Sequence, residues 1–316
     1  MSDKVLIIKL GALGDIVMST PLVYAIKKHH PRSQTVLLTA IQFGYVFENF
    51  DGISIKTFDR HSLYRTLEIA KWIRSNNFTH IYDLQGSRRT GILTLMSRAT
   101  FRVGNHNALS YTHFPAAPWK GQQHIFDRMC LLLKTCDINV HERRPILKAS
   151  KVIENKISSW LETHSLDTDS YVIMHAGSSP LKPEKRWPYF SALALYFQSK
   201  DITTVWVGAT DDESLNTALS EVTGVNASMA FNIFELAELG RRARFAVTND
   251  SGPMHILAAA NIPIFGIFGP TDWSRNHALG QEDNVIATTR TKLNETSLTE
   301  LSVETVIDVI SSKLFL

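Results

Sequence analysis

The most informative run of this 316-residue chain is Val247-Thr248-Asn249-Asp250-Ser251-Gly252-Pro253-Met254-His255. An apolar strand ends, a small polar turn follows, and a proline stands where a first helical residue is well tolerated. The N–H groups of Ser251 and Gly252, together with the Ser251 hydroxyl, converge on a spot that favours a phosphate. A helix start contributes about 0.3–1 kcal/mol to such an anion, and about 2 kcal/mol when partly buried. Spacing alone leaves a second reading open, in which Asp250 or Ser251 is only an N-cap. Gly252 and His255 are three apart and share a face at the helix start. Taken alone, His255 reads as a satisfied core histidine.

Other residue groups offer complementary chemistry. Lys182, Lys185 and Arg186 precede Trp187-Pro188. An ammonium beside a diphosphate stabilises charge growing on it, and at an effective dielectric near 20 one contact at ~4 Å is worth about 4 kcal/mol before desolvation. The alternative is a solvated basic loop. Ser178 and Ser179 follow an apolar strand and can donate to phosphate oxygens. Asp211, Asp212 and Glu213 follow the strand that ends at Gly208, where an acidic side chain suits a ribose diol or merely a helix's first turn. Asp15 closes the Gly-flanked turn Gly11-Ala12-Leu13-Gly14-Asp15, where it either caps a helix beginning near Ile16 or turns a carboxylate toward a cleft. Asp167-Thr168-Asp169 has the look of a manganese motif. It precedes a strand instead of ending one, so it reads as a solvated loop.

The elements that must position these groups alternate strand and helix. Lys4 to Leu10 is a continuous apolar run, as expected of a parallel strand buried on both faces. Helical spacing runs from Ile16 to His30, with Pro31 beyond as a stop. Further strands are expected over 35–39, 54–58, 79–84 and 101–103, and helices over 63–76, 88–99 and 125–135. A polar helix over 151–164 leads into a polar stretch, and the pattern then restarts. Strands are expected over 171–175, 204–207, 245–248 and 264–268, and helices over 188–198, 211–222, 234–241, 253–260 and 299–312. This predicts an α/β protein of two Rossmann-like doubly wound domains, 1–165 and 166–316, with ligands between them at the carboxyl ends of the strands. The last helix is left free to pack back on the first domain.

Composition narrows the class. Hydrophobic residues make up 44% and charged residues 20%, enough for a real core. A net charge of +3 is too weak to argue for a nucleic-acid partner. Cys130 and Cys136 form neither a zinc site nor a disulfide framework and read as two reduced thiols. The N-terminus reads as a strand, not a leader, and no run is long enough to span a bilayer. A cytoplasmic protein is expected, with a peripheral place at the inner membrane surface left open.

Asn249-Asp250-Ser251-Gly252-Pro253-Met254-His255, then Ala258-Ala259 and Phe268-Gly269-Pro270-Thr271-Asp272, resembles the signature of glycosyltransferase family 9, which includes the ADP-heptose:lipopolysaccharide heptosyltransferases. The opening Ile8-Lys9-Leu10-Gly11-Ala12-Leu13-Gly14-Asp15 with Thr20-Pro21-Leu22 is similar to that family's opening. Asp83-Leu84-Gln85-Gly86, His124-Ile125-Phe126-Asp127-Arg128, Gly177-Ser178-Ser179 and Lys185-Arg186-Trp187-Pro188 extend the likeness over nearly the whole chain. The resemblance implies the two-domain B-type glycosyltransferase fold and a metal-independent inverting transfer without a cofactor. It places Asp15 as general base, worth about 10²–10⁴-fold. It places Ser178, Ser179, Lys185, Glu213, Asp250, Ser251, Gly252 and His255 around a nucleotide-sugar donor, with Asp212 a close second to Glu213. The implied donor is ADP-heptose and the implied acceptor a lipopolysaccharide core or related glycan, held by the first domain. Among that domain's cations, Arg60, Arg88 and Arg89 rank first as ligands for acceptor anions. Rival readings are another nucleotide-sugar, an epimerase or hydrolase of the same fold, or a binding protein without catalysis. A dehydrogenase fits less well, because Gly11-Ala12-Leu13-Gly14 lacks the G-x-G-x-x-G spacing.

Overall fold

The computed structural model describes residues 3–59, 62–117, 123–288 and 297–315. The chain divides into two compact units, Met1–Ile146 and Leu147–Leu316. Each is a parallel sheet wound with helices, as the strand–helix alternation requires.

The first unit runs β1 (Lys4–Ile8), α1 (Leu13–His29), β2 (Gln34–Ala40), β3 (Ile53–Phe58), α2 (Leu63–Ser75), β4 (His80–Asp83), α3 (Arg88–Met96), β5 (Phe101–Val103) and α4 (Ile125–Lys134). Its strand order is β3-β2-β1-β4-β5, with every pair parallel. Val5 to Ile8 are wholly buried because helices cover both faces of the central strand. On one face Leu6, Ile8, Leu38 and Ile81 pack with Ile69, Ala70 and Ile73 of α2 and Leu93 of α3. Helix α1 is buried along most of its length although it contains Pro21. Pro21 has no N–H for the Val17 carbonyl, and the Thr20 hydroxyl donates to that oxygen instead at 2.7 Å. The chain leaves β1 toward β2 on one side and β4 lies on the other, so the sheet reverses at β1. The crevice beyond the carboxyl ends of β1 and β4 is where such a sheet takes a ligand.

The second unit opens with α5 (Lys151–Thr163) and continues β6 (Tyr171–His175), α6 (Phe190–Gln198), β7 (Thr203–Gly208), α7 (Glu213–Val222), β8 (Val225–Ser228), α8 (Ile233–Gly240) and β9 (Phe245–Asn249). It closes with α9 (Gly252–Leu257), β10 (Ile264–Phe268), α10 (Trp273–Asn276), β11 (Val285–Ala287) and α11 (Val303–Leu314). The order is β11-β10-β9-β6-β7-β8, parallel throughout, and the reversal falls between β6 and β9.

The division between units falls earlier than the expected 165. Helix α5 buries Ile157 and Leu161. It is tied to the second unit by Lys156–Glu235 at 2.8 Å and by the Arg242 guanidinium, which donates to Ser158 Oγ and the Glu154 carbonyl. The last helix does not need the first unit to cover its apolar stripe. Val306 and Ile310 of α11 join the core that Phe197 of α6 lines, and Tyr196 Oη lies 3.2 Å from Ser311 Oγ. Among the described residues no helix is long and apolar enough to cross a membrane.

Candidate functional site

In the second unit, two loops meet beyond the sheet reversal. One leaves β6 and carries residues 176–188, and the other joins β9 to α9. Asn249, fully buried, binds them together. Its side-chain amide donates to the carbonyls of Ala176 (2.8 Å) and Gly177 (3.2 Å), and its oxygen accepts from Trp187 N at 3.1 Å. The Trp187 indole, itself buried, donates to the Leu301 carbonyl at 2.8 Å. These bonds fix the position of Lys185, two residues earlier.

Lys185 Nζ donates to Asp250 Oδ2 at 2.6 Å, and the Thr271 hydroxyl donates to the same oxygen at 2.8 Å. The side chains of Lys185 and Asp250 are 16% and 8% exposed, so the pair is largely buried with the lysine the more accessible partner. Helix α9 begins with Gly252, one residue before the expected Pro253. Ser251 occupies the N-cap position, but its side chain makes no capping bond. Its hydroxyl lies 2.9 Å from His175 Nδ1 and 3.2 Å from the Asn249 carbonyl. Both cap candidates therefore direct their side chains elsewhere, and the start of α9 is not capped from within. Ser251 and Gly252 are partly exposed, whereas His255 is buried one turn into the helix.

Behind Ser251 lies a chain of polar contacts that sequence reasoning missed. His175 ends β6, and its Nε2 is 3.3 Å from Asp212 Oδ2. An ionised carboxylate only accepts, which assigns the proton to Nε2 and leaves Nδ1 to accept from the Ser251 hydroxyl. Asp212 Oδ2 also accepts from Ala209 N at 3.1 Å. Burial works to raise the Asp212 carboxyl, but the His175 and Ala209 hydrogen bonds and the nearby Arg186 outweigh it and hold the group below its usual range. The carboxylate fits because two neighbours are glycines. A Cβ on Gly177 would strike Asp212 Oδ1, and one on Gly208 would lie 2.6 Å from Asp212 Cβ. The only hint in the sequence is a histidine ending an otherwise apolar strand.

The remaining second-unit candidates are spread around this centre. Ser178 is buried, and its hydroxyl donates to the Lys182 carbonyl at 2.9 Å while Arg186 Nε approaches it at 3.3 Å. Ser179 is exposed on the same loop. Glu213 is exposed at the first turn of α7, beside Asp212, which His175 already engages.

In the first unit, the loop after β1 carries Asp15 and the loop after β4 carries Asp83. Helix α1 starts at Leu13 with Ala12 in the N-cap position, so Asp15 lies inside the first turn and is not the cap. Gly11, at φ +123°, makes the turn, and a side chain there would collide with the Phe43 ring. Lys9 Nζ stands 3.6 Å from Asp15 Oδ2, with the lysine buried and the Asp15 side chain 30% exposed. Burial lowers the Lys9 ammonium's pKa, against the opposing pull of Asp15 and Asp83. Asp83 is wholly buried. Its carboxylate accepts from Tyr111 Oη at 2.6 Å and from the N–H groups of Gln85 and Gly86. Burial nevertheless raises its pKa. Gln85 Oε1 in turn accepts from Leu10 N at 2.9 Å, which locks the two loops together. Arg88, exposed, and Arg89, partly exposed, open α3 beside this crevice. Arg60 lies outside the described residues. Among the described residues, no group of three or more His, Cys, Asp or Glu side chains is arranged to hold a metal ion.

Residues 66–303 match the model of glycosyltransferase family 9 (heptosyltransferase). Lipooligosaccharide heptosyltransferase 2 of Campylobacter jejuni is 25% identical over 289 residues, covering 83% of this chain and 80% of the relative. A family 9 glycosyltransferase from Veillonella parvula has a similar structure, with a TM-score of 0.83 at 22% identity over 99% of this chain and 97% of the other. The Escherichia coli heptosyltransferase WaaC, solved with ADP, gives 0.74 at 19% identity over 98% and 99%.

Proposed function

We propose, for a chain that belongs to glycosyltransferase family 9, the heptosyltransferases, that the second unit binds ADP-heptose and the first presents a lipopolysaccharide core acceptor to it. The observation that carries this reading is the uncapped start of α9 beside the Lys185–Asp250 pair. A diphosphate placed there meets the N–H groups of a helix start that the Ser251 side chain does not cap, and a lysine already oriented. Asp250 repels an anion by itself, so its part is to hold Lys185 and Thr271 in position. Glu213 takes the ribose diol, because Asp212 is committed to His175. Ser178 shapes its loop through the Lys182 carbonyl, and Ser179 faces the ligand.

Transfer proceeds by direct displacement. Asp15 takes the proton from the acceptor hydroxyl as its oxygen attacks the anomeric carbon. The bond to the diphosphate breaks on the opposite face, inverting the centre. Lys185 and the α9 N–H groups stabilise the charge gathered on departing ADP, where fixed donors act without reorganising. Arg88, Arg89 and Arg60 bind anionic groups of the acceptor. The test is incubation with ADP-heptose and a core glycan lacking the terminal heptose, read by mass spectrometry of the glycan. A glycan one heptose heavier, made with release of ADP, is expected. Tight binding of a UDP- or GDP-sugar with no response to ADP would refute the donor assignment.

A further inference from the structure

We propose that the outer faces of α2 and α3 form a docking surface for an anionic lipid bilayer. Surface helices usually turn charged residues outward and apolar ones to the core. Helix α3 buries Thr90, Gly91, Leu93 and Thr94 and turns Ile92, Leu95 and Met96 to solvent, 57%, 45% and 43% exposed. With Arg88 these fall at i, i+4, i+7 and i+8, a single outward stripe. On α2 the stripe is Tyr64, Leu67, Lys71 and Arg74, with Tyr64 67% and Leu67 60% exposed. The inward side of α2, Ile69, Ala70 and Ile73, is spent on the sheet. The two helices touch and cover the same core, so their outward sides belong to one face of the unit. Leu109, 88% exposed, adds to them from the turn whose Ser110 and Tyr111 pack on Gly91 of α3.

Charge identifies the occupant. Arg65, Lys71 and Arg74 lie on α2, Arg88 and Arg89 open α3, and Arg98 follows it. Along the described residues of these helices the one carboxylate is Glu68, which Arg65 pairs at 2.8 Å. A second copy of the chain would bring two rows of cations together. A bilayer with anionic headgroups accepts the cations and lets Leu, Ile and Met side chains reach the acyl boundary, with the Tyr64 ring at headgroup level. The stripes also start at the ligand end of the first sheet, since Arg88 follows the carboxyl end of β4. A lipid-borne acceptor, as the transferase reading requires, would meet the protein there. The docking surface stands on exposure and charge, and only this last point rests on that reading.

Vesicle co-sedimentation tests the proposal. The protein should sediment with mixed phosphatidylcholine–phosphatidylglycerol vesicles about tenfold more strongly than with pure phosphatidylcholine, and added salt should weaken the binding. The double variant Leu67→Glu/Leu95→Glu should lose sedimentation while keeping its thermal midpoint and its ADP affinity in solution. If that variant folds poorly, Lys71→Glu/Arg74→Glu removes the electrostatic half alone and should abolish the preference for phosphatidylglycerol. Equal binding to both vesicles, no binding at all, or unchanged sedimentation of the variants overturns the proposal. So does a wild-type dimer in sedimentation velocity that Leu67→Glu/Leu95→Glu dissociates, because the face would then join two copies. Failure of the wild type to bind ADP would count against the transferase reading and leave the vesicle result standing.

Discussion

The duties proposed for Asp15 and Lys185 are separable, and substitution should separate them. Asp15→Ala should cut turnover by about 10²-fold or more with ADP affinity nearly intact, because a general base acts on the transition state and not on the bound nucleotide. Unchanged turnover removes Asp15 as base. Lys185→Ala should instead weaken ADP binding about tenfold, roughly 1.4 kcal/mol, as calorimetric titration would show. Asp250→Ala should do nearly the same, since it releases Lys185 and Thr271 together. An Asp250→Ala protein that bound ADP more tightly would show that the carboxylate opposes the anion and does not position its ligands. His175→Ala should also weaken ADP binding, and His175→Asn, which keeps a polar group near the Nδ1 position, should recover part of it. Equal loss in both variants would reduce His175 to a packing residue.

The elements show what kinds of signal a sequence carries. Strands β6 and β10 match the expected residues end for end, because a buried parallel strand is a closed run of apolar residues. Strands β8 and β11 escaped notice. Each lies at an edge of its sheet, and Val225-Asn226-Ala227-Ser228 is too polar and half exposed to stand out. Helix α1 begins three residues before expectation because Asp15 looked like a cap, whereas Ala12 holds that position with no side-chain bond to offer. Lys185, Asp250 and Ser251 stand out in the sequence as candidates because they sit in loops that leave strands, and the structure brings these loops together. The role of Asp212 does not stand out, since its partner His175 is 37 residues away and only the sheet brings them together. The same contact makes Gly177→Ala a sharp test of the loop. The new methyl group would press on the Asp212 carboxylate, and about 1–3 kcal/mol of stability should be lost. Chemical denaturation would measure it, and a neutral result would mean that Asp212 has room to move.

At the scale of the molecule, acid should act through the histidines at the opposite end of the first sheet. Burial, aided by the charges of His80 and His29, holds His30 down to about 4, and burial also lowers His80. His30 Nε2 lies 2.8 Å from Tyr82 Oη. The unfolded chain titrates these rings near ~6.5, so below that pH it binds more protons than the folded chain. Stability should fall as pH drops from about 6.5 toward 4 and be insensitive to these groups above neutrality. Melting midpoints at pH 7 and pH 5 should show the drop, and His30→Gln should shrink it. An undiminished drop would assign the acid sensitivity elsewhere. The Trp187 indole has a different reach. Through it and the Tyr189 hydroxyl, the loop carrying Lys185 is moored to the backbone at Leu301 and Thr299, more than a hundred residues further along. Trimming the chain ahead of that mooring should slacken the lysine as surely as mutating its neighbours would, and weakened ADP binding by such a truncation would carry the loss from one end of the unit to the other.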